Sequence, residues 1–224
     1  MNPTIDILGA TIFEPMTVIT DFLITGVAWW LGSRLLQADE SGIRRSRRAW
    51  GLAFLFTGLA ALFGGITHGF SLYLPDKAIL LTWKGTVYSV GLSMLFAVAG
   101  TVIGSPLHRS AKVLLHVLNV TGFVIYALWM ISHNSFLYVI FHYAPAMLSV
   151  ACIQAWVYAR HRTVTAPWII AGVIATLLGA AIQRSGFSLH LHFNNNDLFH
   201  LVQVAGLFLV FQGARGLEDH RPGQ

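Results

Sequence analysis

Seven apolar segments, near residues 15–36, 49–72, 78–104, 111–132, 135–160, 165–184 and 197–214, divide the chain, and each approaches the roughly 20 residues that a helix needs to cross a bilayer. Of the 224 residues, 55% are hydrophobic and only 10% charged, with a mean hydropathy of +0.65. A soluble domain carries about a quarter charged residues. The sequence therefore predicts an all-α membrane protein, a seven-transmembrane helix bundle forming one domain over residues 1–224. The stretch from Val113 to Ala159 holds no Asp, Glu, Lys or Arg yet is too long for one crossing. Ser132-His133-Asn134-Ser135 must supply the turn that divides it.

The basic residues orient the bundle, because Lys and Arg in short loops favour the cytoplasm. Arg34, Arg44, Arg45, Arg47 and Arg48 flank the first loop, Arg109 and Lys112 the third, Arg160 and Arg162 the fifth, and Arg215 and Arg221 the tail. Lys77, Lys84 and Arg184 alone fall at the other ends. This predicts an N-terminus outside and a cytoplasmic C-terminus, and suits a bacterial inner (plasma) membrane. The net charge of +5 is thus a topology signal and not a nucleic-acid footprint. The first thirteen residues contain Asp6 and no Lys or Arg, so they lack the flank of a signal peptide, and the first helix is expected to be retained. Cys152 is the single cysteine, which excludes an intrachain disulfide and a thiolate metal framework. Gly65-x-x-x-Gly69 and Gly100-x-x-x-Gly104 match the close-packing motif of membrane helices.

With that orientation each polar residue inside a span acquires a depth, and the polar residues gather in the outer half. Glu14 precedes Pro15 at the mouth of the first helix, and Asp21 follows seven residues later, roughly 10 Å deeper on the same face. His68 lies near the outer end of the second helix. The seventh span opens with Asn194-Asn195-Asn196-Asp197-Leu198-Phe199-His200, in which Asn196, Asp197, His200 and Gln203 share one side. Ionisable groups in a bilayer are costly and mark functional sites. Imidazoles with a carboxylate behind them are what a zinc site uses, so His68 and His200 are the expected metal ligands, with His192, His142, Glu14 or Asp21 as the third. Glu14, Asp21 and Asp197 are the candidate catalytic carboxylates.

Several of the same residues also have an ordinary reading. His116 and His142, taken singly, read as groups that hydrogen-bond between helices. His108, His161 and His220 read as solvated surface, and Lys84 and Arg184 as residues that snorkel towards the headgroups. Glu14 suits the N-terminal dipole of its helix, whereas Asp21 lies too deep for that role.

The span count, His68 late in helix two and Asn196-Asp197-Leu198-Phe199-His200-Leu201-Val202 opening helix seven resemble the seven-helix hydrolase superfamily of the alkaline ceramidases and the progestin and adipoQ receptors. The resemblance implies zinc and water-activated amide hydrolysis, with His68 at the helix-two His position and His200 at the second helix-seven His position. Gly64 stands where the superfamily carries a Ser, Asn196 stands where it carries the first helix-seven His, and the span 78–104 has no Asp. The leading expectation is a membrane-embedded zinc-binding protein that hydrolyses an amide or ester bond of a lipid-like small molecule. Its alternative is a non-catalytic sensor or accessory subunit that binds a lipid, quinone or haem in the same pocket. A transporter is the weakest reading, because no internal repeat is visible and the inner half is nearly free of polar groups.

Overall fold

The computed structural model describes residues 4–7, 9–37, 44–190 and 193–220. Among them are two short strands, β1 (Thr4–Ile7) and β2 (Ala10–Phe13), and seven α-helices: α1 (Pro15–Leu36), α2 (Arg45–Phe70), α3 (Asp76–Gly104), α4 (Arg109–Ser132), α5 (Phe136–His161), α6 (Ala166–Ser185) and α7 (Asn195–Ala214). All seven helices are long and apolar enough to cross a membrane. The expected turn holds, with α4 ending at Ser132 and α5 beginning at Phe136.

Two of the boundaries that differ from expectation do so for a shared reason. α2 starts at Arg45 and not near residue 49, and α3 starts at Asp76 and not at residue 78. Charged residues at a span's end lie outside the apolar run but continue its hydrogen-bonded backbone. The superfamily's helix-three carboxylate position is therefore not filled deep in α3, whose only Asp sits in its first turn.

Packing closes six of the helices into a ring, in the order α1, α2, α3, α5, α6, α7 and back to α1. α4 lies outside it against α3 and α5, and only Tyr126 and Met130 of α4 are buried. Glycines permit the close approaches. At Gly213 a Cβ would stand 2.5 Å from Ile169 Cγ1 and 2.7 Å from the Thr165 carbonyl oxygen, so α6 and α7 meet backbone to backbone. The two motifs noted in the sequence act likewise: Gly65 and Gly69 admit Phe22 and Val18 of α1, and Gly100 admits Trp50 of α2.

The antiparallel hairpin β1–β2, which periodicity over the apolar spans did not reveal, packs at the end of the bundle that carries the start of α1 and the end of α2. Its Thr11 amide donates to the Tyr73 hydroxyl at 2.6 Å. At the same end the Lys84 amine donates to the carbonyls of Met130, Ile131 and His133, where α4 runs out of intrahelical donors.

At the opposite end the residues after α7 form a clasp. α2 has no side-chain cap of its own. Asp219 supplies one from the far end of the chain, accepting from the Ser46 amide at 2.9 Å, the Ser46 hydroxyl at 2.7 Å and the Arg45 amide at 2.8 Å. Lys112 joins the clasp by donating to the His220 carbonyl at 2.8 Å. Partial burial pushes the Asp219 carboxyl up, but the donors of Ser46 and Arg45 and the Arg45 charge outweigh it and hold the group below its usual range. A group depressed in the folded state stabilises at neutral pH and loses that contribution as pH falls through its folded value, below about 3.8 here. Asp219→Ala should cost about 1 kcal/mol, the typical loss of a helix cap, and lower the thermal midpoint in detergent at pH 7 but not in strong acid.

Candidate functional site

The six-helix ring encloses a cavity of about 370 Å³ towards the hairpin end, within the size range of small-molecule pockets. Asp21 of α1, Gly64 and His68 of α2, and His200 and Gln203 of α7 contribute its polar wall. Apolar side chains such as Ile24, Val90, Met94, Val139 and Leu177 make up most of the remainder. Residues 68 and 200, chosen from sequence on different helices, thus face one shared space.

Each imidazole is held from behind. His68 Nδ1 lies 2.8 Å from Glu14 Oε2, and His200 Nδ1 lies 2.8 Å from the Thr20 hydroxyl. Thr20 donates its own proton to the Thr17 carbonyl at 3.1 Å, one turn back on α1. Its oxygen is then left to accept, which assigns the proton of a neutral His200 to Nδ1 and the lone pair to Nε2. That lone pair faces Asp21 Oδ1 at 3.4 Å. Two acceptors stand opposite one another in a site where Asp21 is 4% and His200 7% exposed. A shared proton or a cation is needed between them, because a buried charge without a partner is strongly disfavoured. The second Asp21 oxygen, Oδ2, is enclosed and has no hydrogen-bond partner among the described residues.

Asp197 has a different use. Its Oδ2 accepts from the Asn194 amide at 2.7 Å while the Asn194 side chain accepts from the amides of Asn196 and Asp197, a capping box that starts α7. Its Oδ1 accepts from the Thr17 hydroxyl at 2.9 Å. Asp197 therefore locks α7 to α1 and is not among the cavity's lining residues. Glu14 likewise stands behind His68. His192 lies outside the described residues.

Of the other histidines, His142 stacks on Tyr126 at 4.4 Å between ring centres, and His133 caps α4 while stacking on Trp129 at 4.0 Å. Neither lines the cavity. Sequence reasoning missed Thr17 and Thr20, the two hydroxyls that bind α1 to α7. A signal existed in their spacing, since Thr17, Thr20 and Asp21 fall on one helical face, but threonine in an apolar helix is too common to single out.

Zinc ligands at the usual 2.0–2.1 Å from a tetrahedral ion stand roughly 3.3–3.5 Å apart, which the His200 Nε2 to Asp21 Oδ1 separation of 3.4 Å matches. The hydrogen bonds to both Nδ1 atoms are also of the kind that orients zinc-binding imidazoles. Among the described residues, however, no three His, Cys, Asp or Glu side chains converge closely enough to hold a metal ion. The wall offers a matched pair of donors and no third protein ligand within that set.

A family model described as a family of unknown function (DUF6962) matches residues 16–219, so the chain belongs to that family. No curated protein and no solved structure matches it.

Glu14 occupies a left-handed backbone conformation, φ 42° and ψ 54°, that residues other than glycine seldom adopt, immediately before Pro15. That geometry swings its carboxylate onto His68. The hydrogen bond from His68 holds the Glu14 carboxyl below the usual carboxylate range. The pair therefore stabilises the fold at neutral pH and ceases to do so as pH falls through the depressed value, below 4.5. His68 Nδ1 donates in either protonation state, so the carboxylate sets the acid limb. Unfolding midpoints of wild type and Glu14→Gln, measured from neutral to acid pH, should differ at pH 7 and converge in acid; a constant gap would contradict the pairing.

Proposed function

We propose that the chain hydrolyses an amide or ester bond of a lipid-like amphiphile inside this cavity, with the acyl chain against the apolar wall and the scissile group against Asp21 and His200. The observation that carries the reading is the pair of buried acceptors 3.4 Å apart, the imidazole fixed from behind by the Thr20 hydroxyl. Such an arrangement holds reactive groups in place before substrate arrives, which is what acid–base catalysis needs. The basic residues of the alternate loops support a bundle with the hairpin end outside and the clasp in the cytoplasm, as in a bacterial inner membrane. The site then lies in the outer leaflet, where a chain enters sideways and its head stays at the interface.

Asp21 takes the proton of the attacking water. His68, oriented by Glu14, presents Nε2 to the cavity and returns a proton to the leaving amine or alcohol. Thr20 keeps the His200 ring from turning. Zinc, the cofactor suggested by the superfamily resemblance and by the His200–Asp21 spacing, would supply Lewis-acid polarisation of the carbonyl and lower the pKa of bound water towards 7. His200 and Asp21 are the two residues that would hold it, and no third protein ligand converges on them among the described residues.

The non-catalytic reading keeps a specific observation in its favour: the cavity wall is largely apolar, and no three-ligand metal set occurs among the described residues. A bound haem would show a Soret band, and a quinone its own ultraviolet absorption.

Purified protein should bind about one zinc per chain, lost in His200→Ala, and His68→Ala and His200→Ala should each lose hydrolysis of a matched series of N-acyl and O-acyl fluorogenic amphiphiles. A metal-free, colourless protein whose activity and stability ignore chelation would contradict the zinc reading. Turnover lost in both variants without any metal change would leave the carboxylate–imidazole chemistry standing alone.

A further inference from the structure

The cavity has a depth, and two neighbouring helices set it. Thr57 of α2 meets Ser93 of α3 at 2.8 Å between hydroxyls, and Thr67 meets Thr82 at 2.9 Å, so the two antiparallel helices run side by side along the cavity in nearly constant register. Gly64 and Thr86 each lie seven residues from the Thr57–Ser93 contact towards the hairpin end, and therefore stand at about one level. The Asp21 carboxylate shares that level, since a Cβ built at Gly64 would lie 3.5 Å from Oδ2 and 3.6 Å from Oδ1. At ~1.5 Å per residue, the Thr57–Ser93 contact is about 10 Å deeper than Asp21.

Between the two levels one face of α2 carries almost no side-chain volume. Gly64, Ala61, Ala60 and Thr57 recur at the spacing of a single helical face, and all four line the cavity, with Ile24, Val90 and Leu177 on the other walls. At the Thr57–Ser93 contact the space ends. Ser93 donates to the Ala53 carbonyl at 2.9 Å, which ties the hydroxyl pair to the backbone of α2. Deeper in the bundle Phe54, Leu31, Ala97, Val98 and Val150 form a core in which none is more than 5% exposed, and none of them lines the cavity.

Resting on the reading of the cavity as an amphiphile site, we infer that it gauges the acyl chain of its ligand. With the carbonyl at Asp21 and His200, the chain runs down the Ala61–Ala60 face and stops on Thr57, Ser93 and Met94. An extended chain advances ~1.2 Å per bond, so a depth of about 10 Å admits roughly eight carbons. The substrate class is thus a medium-chain acyl amide or ester, and the long-chain lipids of the bilayer are refused because their tails overrun the floor. A chain that fits gains little on leaving lipid for an equally apolar wall. Overfilling a packed interior, by contrast, is penalised. The gauge therefore works by excluding long chains and not by rewarding short ones.

The test uses the full chain in phosphatidylcholine nanodiscs and N-methylalkanamides from hexanoyl to hexadecanoyl, with affinity referred to partition into protein-free nanodiscs. Affinity should stay level from hexanoyl to octanoyl and fall roughly tenfold or more by dodecanoyl, as overpacking requires. Ala61→Leu, which fills the shaft, should move the cut-off below octanoyl. Met94→Ala, which lowers the floor, should move it to dodecanoyl or beyond, and general misfolding does not produce shifts in opposite directions. Equal affinity from hexanoyl to hexadecanoyl in wild type, or a cut-off that Ala61→Leu leaves in place, would overturn the inference and leave the amphiphile pocket intact. A cut-off in binding without turnover of the octanoyl amide or ester would uphold the gauge and contradict hydrolysis. Failure of wild type to bind any amide of the series would overturn the pocket reading and this inference with it.

Discussion

The seam between α1 and α7 is the contact on which the rest depends. Thr17 donates to Asp197 and Thr20 meets His200, so two hydroxyls one turn apart on the first helix engage two ionisable groups one turn apart on the last. Between apolar helices in lipid there is little hydrophobic drive to associate, and hydrogen bonds and close packing decide which faces meet. This seam closes the ring, and the closed ring makes an internal cavity out of six separate crossings. It also fixes the His200 ring, and through it the confrontation with Asp21. Glycines perform the matching task on the far side of α7, where Gly172, Gly206 and Gly213 bring α6 into backbone contact.

The layout of the spans was legible because the bilayer imposes a length: about 20 apolar residues read as a crossing whatever their neighbours do. The ends were less so. Arg45, Arg47 and Arg48 belong to α2, although a hydropathy reading sees them as loop. The hairpin over residues 4–13 was invisible to the same method, being too short to register as a span and stabilised by contacts with Tyr73 and Gly69 that lie far along the chain.

The site was legible in part. His68, Asp21 and His200 announced themselves as ionisable groups in apolar runs, and they do line one cavity. Asp197 announced itself equally loudly, yet its oxygens are taken up by the start of α7 and by Thr17. Distinguishing a capping carboxylate from a reactive one requires knowing which way the helix start faces. Chemistry-bearing residue types are visible in a sequence; the hydroxyls that orient them and the gaps left beside them belong to the packing. Membership of a family of unknown function extends that frame to residues 16–219 but assigns no reaction, so the chemistry rests on the cavity wall itself.

The measurement closest to the central claim is a double-mutant cycle on unfolding stability between Thr20→Val and His200→Phe. A direct interhelical hydrogen bond predicts a coupling of about 0.6–2 kcal/mol between the two changes. Strictly additive losses would mean that α1 and α7 do not meet through this pair, and the shared cavity would lose its closing seam.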